Sequence, residues 1–343
     1  MSTYDWVEAG CLWTPWLPFC HRSSKPAFGF DATGEILISK AFGRLIRFSR
    51  QAAGHRPEVV VVAPMSGNHA TLLREVVDTM LDYHDVSLTD WICASQVPLC
   101  EGDFGLDDNV QYIQDFLRAV PVAHVICVSQ SCVSTLAAIA LMAEAGESLP
   151  RSLTLIAGPI DVSAASTWTS RLIARLSAKW FAARETEVTG RWPGVGRSVF
   201  PAYERHVSFM CNRPLNIGDV GCVEELADFY REYNSVVDLP SKYFHEIIEC
   251  VFWKRSLACG TLMIGGQLAR PELIEGMALL TVEGTADKTV APGQTAAALD
   301  LCRGIGVKQR SVVDANHYTL VWGRTWRDIV APQIMSFMRE NDR

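Results

Sequence analysis

The chain has 343 residues, 49% of them apolar and 20% charged, a profile that buries a core and excludes both a small stapled scaffold and a disordered chain. Its 31 Lys and Arg against 38 Asp and Glu leave a net charge of −7, so a phosphate backbone would be repelled and nucleic acid is not an expected partner. At about 150 residues per domain, the length fits two units or one large α/β domain with an insertion.

Eleven cysteines are scattered without a CxxC pair or zinc-type spacing, and reduced, structural thiols are expected. Asp5 and Glu8 precede the first apolar stretch without a basic flank, unlike a secretory signal. No segment reaches the roughly 18 uninterrupted apolar residues of a membrane span. A soluble, cytoplasmic protein is expected.

In chain order, 35–39 and 45–48 predict an antiparallel strand pair. Val59 to Val62 is a fully apolar strand that stops at Ala63-Pro64-Met65-Ser66-Gly67, where proline and glycine end the pairing. Leu72, Leu73, Val76, Val77 and Met80 form one stripe of a helix over 70–81. A strand over 86–91 follows, then a helix over 107–119 whose acidic start suits its dipole. Ala123 to Ser131 reads as strand and sharp turn, leading into a small-residue helix through Ala143. Further strands are expected at 152–157, 278–282 and 309–313. Short β-branched runs alternating with helical patterns give the α/β class with a mostly parallel sheet. Between Pro159 and about Arg270, aromatic residues become dense and Pro/Gly punctuation such as Trp192-Pro193-Gly194-Val195-Gly196 enters. That stretch is read as a mostly helical cap, dividing the chain into core (1–160), cap (161–267) and core (268–343).

A nucleophile presented on a strained strand-to-helix turn needs small residues two positions to either side. Ser129 meets that condition with Cys127 and Ser131. Cys127, Ser131 and Cys132 meet it less well, having Val125, Val133 and Gln130 in the critical places. A serine hydroxyl further needs a base and an acid that orients the base, and on this architecture the chain order is Ser, acid, His. His317 lies after the last expected strand, and Asp287 lies in the loop after the penultimate one, with Asp161 and Glu283 as fallback acids. Donors for the oxyanion would be the backbone amides of Gln130 and of Met65 or Ser66. His69 lies in the same loop but is out of order for the base. Each residue also has a plain reading, as a cap, a turn residue or a solvated histidine; the order of all three favours the chemical one.

Several long segments then carry a family resemblance. They are Lys25-Pro26-Ala27-Phe28-Gly29, Ala63-Pro64-Met65-Ser66-Gly67 with Ala70-Thr71-Leu72-Leu73-Arg74, Thr89-Asp90-Trp91 and Gly158-Pro159-Ile160-Asp161. Phe229-Tyr230-Arg231-Glu232-Tyr233, Asp238-Leu239-Pro240, Gly293-Gln294-Thr295 and His317-Tyr318 continue it. The sequence resembles the intracellular polyhydroxyalkanoate (polyhydroxybutyrate) depolymerases, an α/β-hydrolase family. One departure is chemical: that family commonly places a cysteine at the elbow, and Ser129 stands there here. A serine-type branch, an engineered replacement and a lost activity are the competing explanations; the changes at Ser131, Cys132 and Ser134 favour a branch.

The resemblance implies hydrolysis of polyhydroxybutyrate or its oligomers to 3-hydroxybutyrate by Ser129, Asp287 and His317, with no metal or cofactor. A polyester surface calls for apolar contacts, and Trp192, Phe200, Tyr203, Phe209, Met210, Tyr243, Phe244 and Trp253 are candidates, although most buried aromatics simply pack a core. The alternatives are a polymer-synthase-like acyltransferase, a small-molecule esterase and a non-catalytic granule-binding homologue.

Overall fold

In the computed structural model, residues 25–50, 56–65, 67–167, 170–171, 173, 186–189, 196–200, 215 and 217–342 are described. Among the described residues, eight strands form one sheet, in the spatial order Thr33–Ser39 (β1), Gly43–Ser49 (β2), Asp85–Trp91 (β4), Glu58–Val62 (β3), His124–Val128 (β5), Ser152–Ile156 (β6), Ala278–Gly284 (β12) and Val307–Val313 (β13). Strands β1 (Thr33–Ser39) and β2 (Gly43–Ser49) make the expected antiparallel pair, and β2 is also antiparallel to β4 (Asp85–Trp91). From β4 onward, β3 (Glu58–Val62), β5 (His124–Val128), β6 (Ser152–Ile156), β12 (Ala278–Gly284) and β13 (Val307–Val313) run parallel. The central strands are apolar on both faces because helices cover both: the four valines of β3 and every residue of β5, β6 and β12 are buried. At the edge, β13 exposes Val307 to Arg310, which is why alternation alone begins it at Gln309 rather than Val307.

The expected helix over 70–81 divides in two. Ala70–Leu73 is a 3₁₀ turn and α1 (Arg74–Met80) is α-helical. The tighter first turn offers Thr71 and Arg74 to one buried carboxylate: Thr71 Oγ1 donates to Glu232 Oε2 at 2.5 Å and Arg74 donates to Glu232 Oε1 at 2.5 Å. Helix α2 (Leu106–Ala119) buries Val110, Ile113, Phe116 and Leu117, and its first turn is capped by Asp108, which accepts the Gly105 N–H at 2.8 Å. Helix α3 (Ser131–Glu144) is buried over nearly its whole length, so small residues such as Ala137, Ala138 and Ala140 let it lie close to the sheet.

After β6 the chain leaves the sheet and returns at Ala278. The described part of this stretch holds α4 (Val223–Tyr233) and α5 (Ser241–Ile247), the latter running on into a π-helical turn, Ile248–Trp253. It also holds a small antiparallel sheet of β7 (Thr186–Thr189), β8 (Gly196–Phe200) and β9 (Leu239–Pro240), and a hairpin of β10 (Met263–Ile264) and β11 (Gln267–Leu268). The Pro/Gly punctuation of 192–196 thus ends on the first residue of β8, Gly196. No helix among the described residues is long and apolar enough to cross a membrane.

Candidate active site

Strand β3 is flanked by β4 on one side and β5 on the other, so the loops leaving β3 and β5 diverge. Crevices at such switch points, beyond the carboxyl ends of parallel strands, are where ligands bind in open α/β sheets. A cavity of about 210 Å³ lies there, bordered by Ser129, Gln130, His317, Asn68 and His69.

Ser129 follows β5 with φ 56°, the left-handed region that a non-glycine residue enters only when its surroundings enforce it. They do so at several points. The Ser129 N–H donates to Ile156 O at 2.7 Å, and the Cys132 N–H to Ser129 O at 3.1 Å. Ser131 Oγ accepts the Val128 N–H at 3.1 Å and lies 2.8 Å from the carbonyls of Val62 and Val128, fastening the turn to β3. Gly158 completes the enclosure, since a Cβ there would stand 2.4 Å from Cys132 Cβ. Cys127 and Ser131, the small neighbours the sequence points to, are buried inside this bend.

His317 follows β13 in a turn whose Asn316 Oδ1 accepts the N–H groups of Tyr318 and Thr319 at 2.9 and 3.1 Å. Its Nδ1 is 2.7 Å from Asp287 Oδ2, and its Nε2 is 3.1 Å from Ser129 Oγ. A carboxylate only accepts, so Nδ1 carries the ring proton and the Nε2 lone pair receives the serine hydroxyl. The Asp287 side chain is fully buried and His317 is 13% exposed. The other Asp287 oxygen accepts the N–H groups of Thr289 and Val290 at 2.7 and 2.9 Å. The loops bearing acid and imidazole are zipped together by Thr285 N–H to Val313 O and Ala286 N–H to Ala315 O. Gly284 permits that approach, because a Cβ on it would stand 2.4 Å from Ala315 O.

The fallback acids are engaged elsewhere. Glu283 Oε1 accepts three backbone N–H groups, from Gly293, Thr295 and Ala296 at 2.6, 3.0 and 3.0 Å, and Oε2 pairs with Arg310. Asp161 accepts from Ser163 and Arg255. Among the oxyanion candidates, Gln130 borders the cavity. Met65 turns its side chain into the core, where Sδ accepts from Asn109 at 3.8 Å, so only its backbone faces the question. Ser66 lies outside the described residues.

Of the aromatic candidates, Tyr243 and Phe244 border the cavity. Trp192, Tyr203, Phe209 and Met210 lie outside the described residues, and for Phe200 only the backbone of β8 is described. Trp253 is 39% exposed and donates to Ile173 O at 3.2 Å. The sequence reading passes over Ile247, Ile248 and Phe252, which border the cavity from the same helix as Phe244; their helical spacing was the available signal. Asn68, which the sequence offers only as a possible cap of the turn after β3, instead donates its amide to Tyr233 O at 2.6 Å, beside the seam of Val237 N–H to Gly67 O at 2.8 Å. Burial lowers the His69 imidazole to about 4, helped by Lys25 and opposed by Asp90.

Comparison with known proteins bears on the family and the fold. A family model described as PHB de-polymerase C-terminus matches residues 157–342, a span that includes Asp287 and His317 and begins after Ser129. Among solved structures, a hydrolase from Pseudomonas aeruginosa PA01 is similar with a TM-score of 0.53 at 13% identity, over 90% of this chain and 99% of that one. A monoacylglycerol lipase from Paleococcus ferrophilus gives 0.52 at 12% identity, over 87% and 99%. The enol-lactonase from Burkholderia xenovorans LB400 gives 0.50 at 14%, over 88% and 99%. At such identities the likeness concerns the fold, which is that of the α/β hydrolases. A search of curated proteins finds no match.

Proposed function

Because the chain belongs to the PHB de-polymerase C-terminus family, a family of ester hydrolases, we propose that it cleaves the ester bonds of polyhydroxybutyrate or its oligomers through Ser129, His317 and Asp287. The observation that carries this reading is the unbroken line of hydrogen bonds from Asp287 through His317 to Ser129 at the edge of a mainly apolar cavity. Ser129 Oγ attacks the ester carbonyl carbon while its proton passes to His317 Nε2. Buried Asp287 stabilises the resulting imidazolium and holds its tautomer. The tetrahedral oxyanion is met by the Gln130 backbone N–H and by an amide of the loop after β3, at Met65 or Ser66. His317 then returns the proton to the departing alkoxide, leaving an acyl-serine. Water, deprotonated by the same imidazole, releases the hydroxy acid and restores Ser129.

A cavity of about 210 Å³ is smaller than the roughly 300–1,000 Å³ of sites for drug-sized ligands, which favours a single short acyl unit from an oligomer or a chain end. The inserted stretch, 161–267, acts as the cap over it, with Tyr243, Phe244 and Phe252 as apolar wall; Trp192, Phe200, Tyr203, Phe209 and Met210 are the further candidates for polymer contact. The reaction belongs inside the cell, on stored polymer. The test is release of 3-hydroxybutyrate from amorphous granules and from a soluble trimer by wild type and Ser129→Ala. Release that survives the substitution sinks the mechanism, and release from trimer alone makes the protein an oligomer hydrolase.

A further inference from the structure

Beside the main core lies a smaller one. Leu72 after β3, Phe229 and Tyr233 of α4, and Trp322 after His317 pack together in it, with Tyr318 against them. Tyr318 is the joint between this cluster and the reacting line. Its ring lies 5.2 Å from that of Tyr233 at 86°, 5.7 Å from that of Phe229 at 74°, and 5.5 Å from the His317 imidazole at 81°. All three are edge-to-face contacts, an arrangement that aromatic pairs prefer. The end of α4 is in turn pinned to the loop after β3. The Asn68 amide donates to Tyr233 O at 2.6 Å, and the Glu232 carboxylate, 1% exposed, accepts from Thr71 Oγ1 at 2.5 Å and from Arg74.

The imidazole has a use for such a neighbour. The hydrogen bond between Nδ1 and Asp287 fixes one atom of the ring better than it fixes the tilt of the ring about that bond. A tilt would carry Nε2 away from Ser129 Oγ, 3.1 Å distant, and a misplacement of about 1 Å can cost roughly 100-fold in rate. Reacting side chains keep their geometry when packing locks their rotamers. We propose that Tyr318 is a positioning residue for His317: its ring, itself packed against Tyr233 and Phe229 of α4, blocks the tilt of the imidazole and keeps Nε2 on the serine hydroxyl. The stretch between β6 and β12 thereby reaches the proton transfer through aromatic packing. This rests on the ester-hydrolase reading above. Tyr318 and Tyr233 also border the cavity, so the rival role is a wall that touches the ester, and a wall acts on KM.

The experiment measures kcat and KM for ethyl 3-hydroxybutyrate in wild type, Tyr318→Leu, Tyr318→Phe and Tyr233→Leu. Tyr318→Leu should lower kcat by about 30- to 100-fold with KM within about 3-fold. Tyr318→Phe keeps the ring and should restore most of the rate. The proton NMR signal of His317 Nδ1–H should be sharp in wild type and in Tyr318→Phe, and broadened in Tyr318→Leu as the imidazole tilts. An unchanged kcat, a loss confined to KM, or an equally sharp signal in Tyr318→Leu overturns the assignment, and so does Tyr318→Phe that is as slow as Tyr318→Leu. Should Tyr318→Leu fail to fold, Tyr233→Leu decides: kcat about 5-fold lower at unchanged KM supports the assignment, and unchanged kcat overturns it. Wild type that leaves the ester intact, or cleavage that persists in Ser129→Ala, overturns the hydrolase reading and this inference with it. Cleavage that needs Ser129 but is indifferent to Tyr318→Leu removes Tyr318 alone.

Discussion

The loop after β5 and the loop after β12 each hold one proposed member of the reacting line, and they hold it by different means. At Ser129 the backbone is forced into a left-handed bend by packing: α3 presses on Gly158, and Ser131 fastens the turn to β3. Around Asp287 the chain takes a wider path, and a single carboxylate, Glu283, gathers the amides of Gly293, Thr295 and Ala296. One site is made rigid by steric closure and the other by charge-assisted hydrogen bonds. The same precision of placement can therefore come from crowding or from one well-connected anion.

Substitutions can break or sharpen this contrast. Ser129→Ala should lower kcat for ester cleavage by roughly 10⁵- to 10⁶-fold, with the melting temperature little changed because alanine keeps the Cβ and the same left-handed backbone. A loss of ester cleavage under about 100-fold would remove the serine from the chemistry. Asp287→Asn should lower kcat by about 10⁴-fold by favouring the wrong imidazole tautomer, and a normal rate would show that His317 is oriented some other way. Glu283→Ala should cost about 3 kcal/mol in unfolding free energy, since three amides lose their acceptor. Its partner Arg310 is 47% exposed, so that ion pair adds little. Ser131→Ala should cost only about 1 kcal/mol; a larger loss than that of Glu283→Ala in chemical denaturation would mean that hydrogen bonds, not packing, hold the elbow.

A seam outside the two loops serves as a control. Glu75 of α1 accepts the Gly323 N–H at 2.8 Å and shares Arg327 with Glu225 of α4. Burial raises its carboxyl from 4.5 to about 7, against the pull of Gly323 and Arg327. The folded protein then keeps a proton that the unfolded chain has lost, so this group's contribution to stability falls as pH rises from about 4.5 through 7. Its slope is at most about 1.4 kcal/mol per pH unit. Thermal melts of Glu75→Gln across that interval should show a flatter dependence than wild type; identical curves would refute the shift.

The same contrast explains what was legible in the sequence. The elbow is local, so the sizes of Cys127 and Ser131 announce it, and the order of Ser129, Asp287 and His317 follows from strands whose apolar runs are plain. Glu283 reads as a spare acid because its residue type is right; its real task, binding amides ten to thirteen positions downstream, depends on how the loop closes. The break between Leu73 and Arg74 is equally nonlocal, since Glu232 lies over 150 residues away and engages Thr71 and Arg74 together. Tyr243 and Phe244 are among the sequence candidates, but which of the aromatic residues face inward depends on the angle at which α5 docks, and no periodicity specifies that.

The seam joining Gly67 and His69 to 235–237 makes part of the stretch between β6 and β12 a buttress for the loop after β3. Excising that stretch would unpin the loop that carries the proposed oxyanion donors. Turnover would then decline even for esters too small to need shelter, and the trimmed chain would become a slower catalyst without becoming a more permissive one.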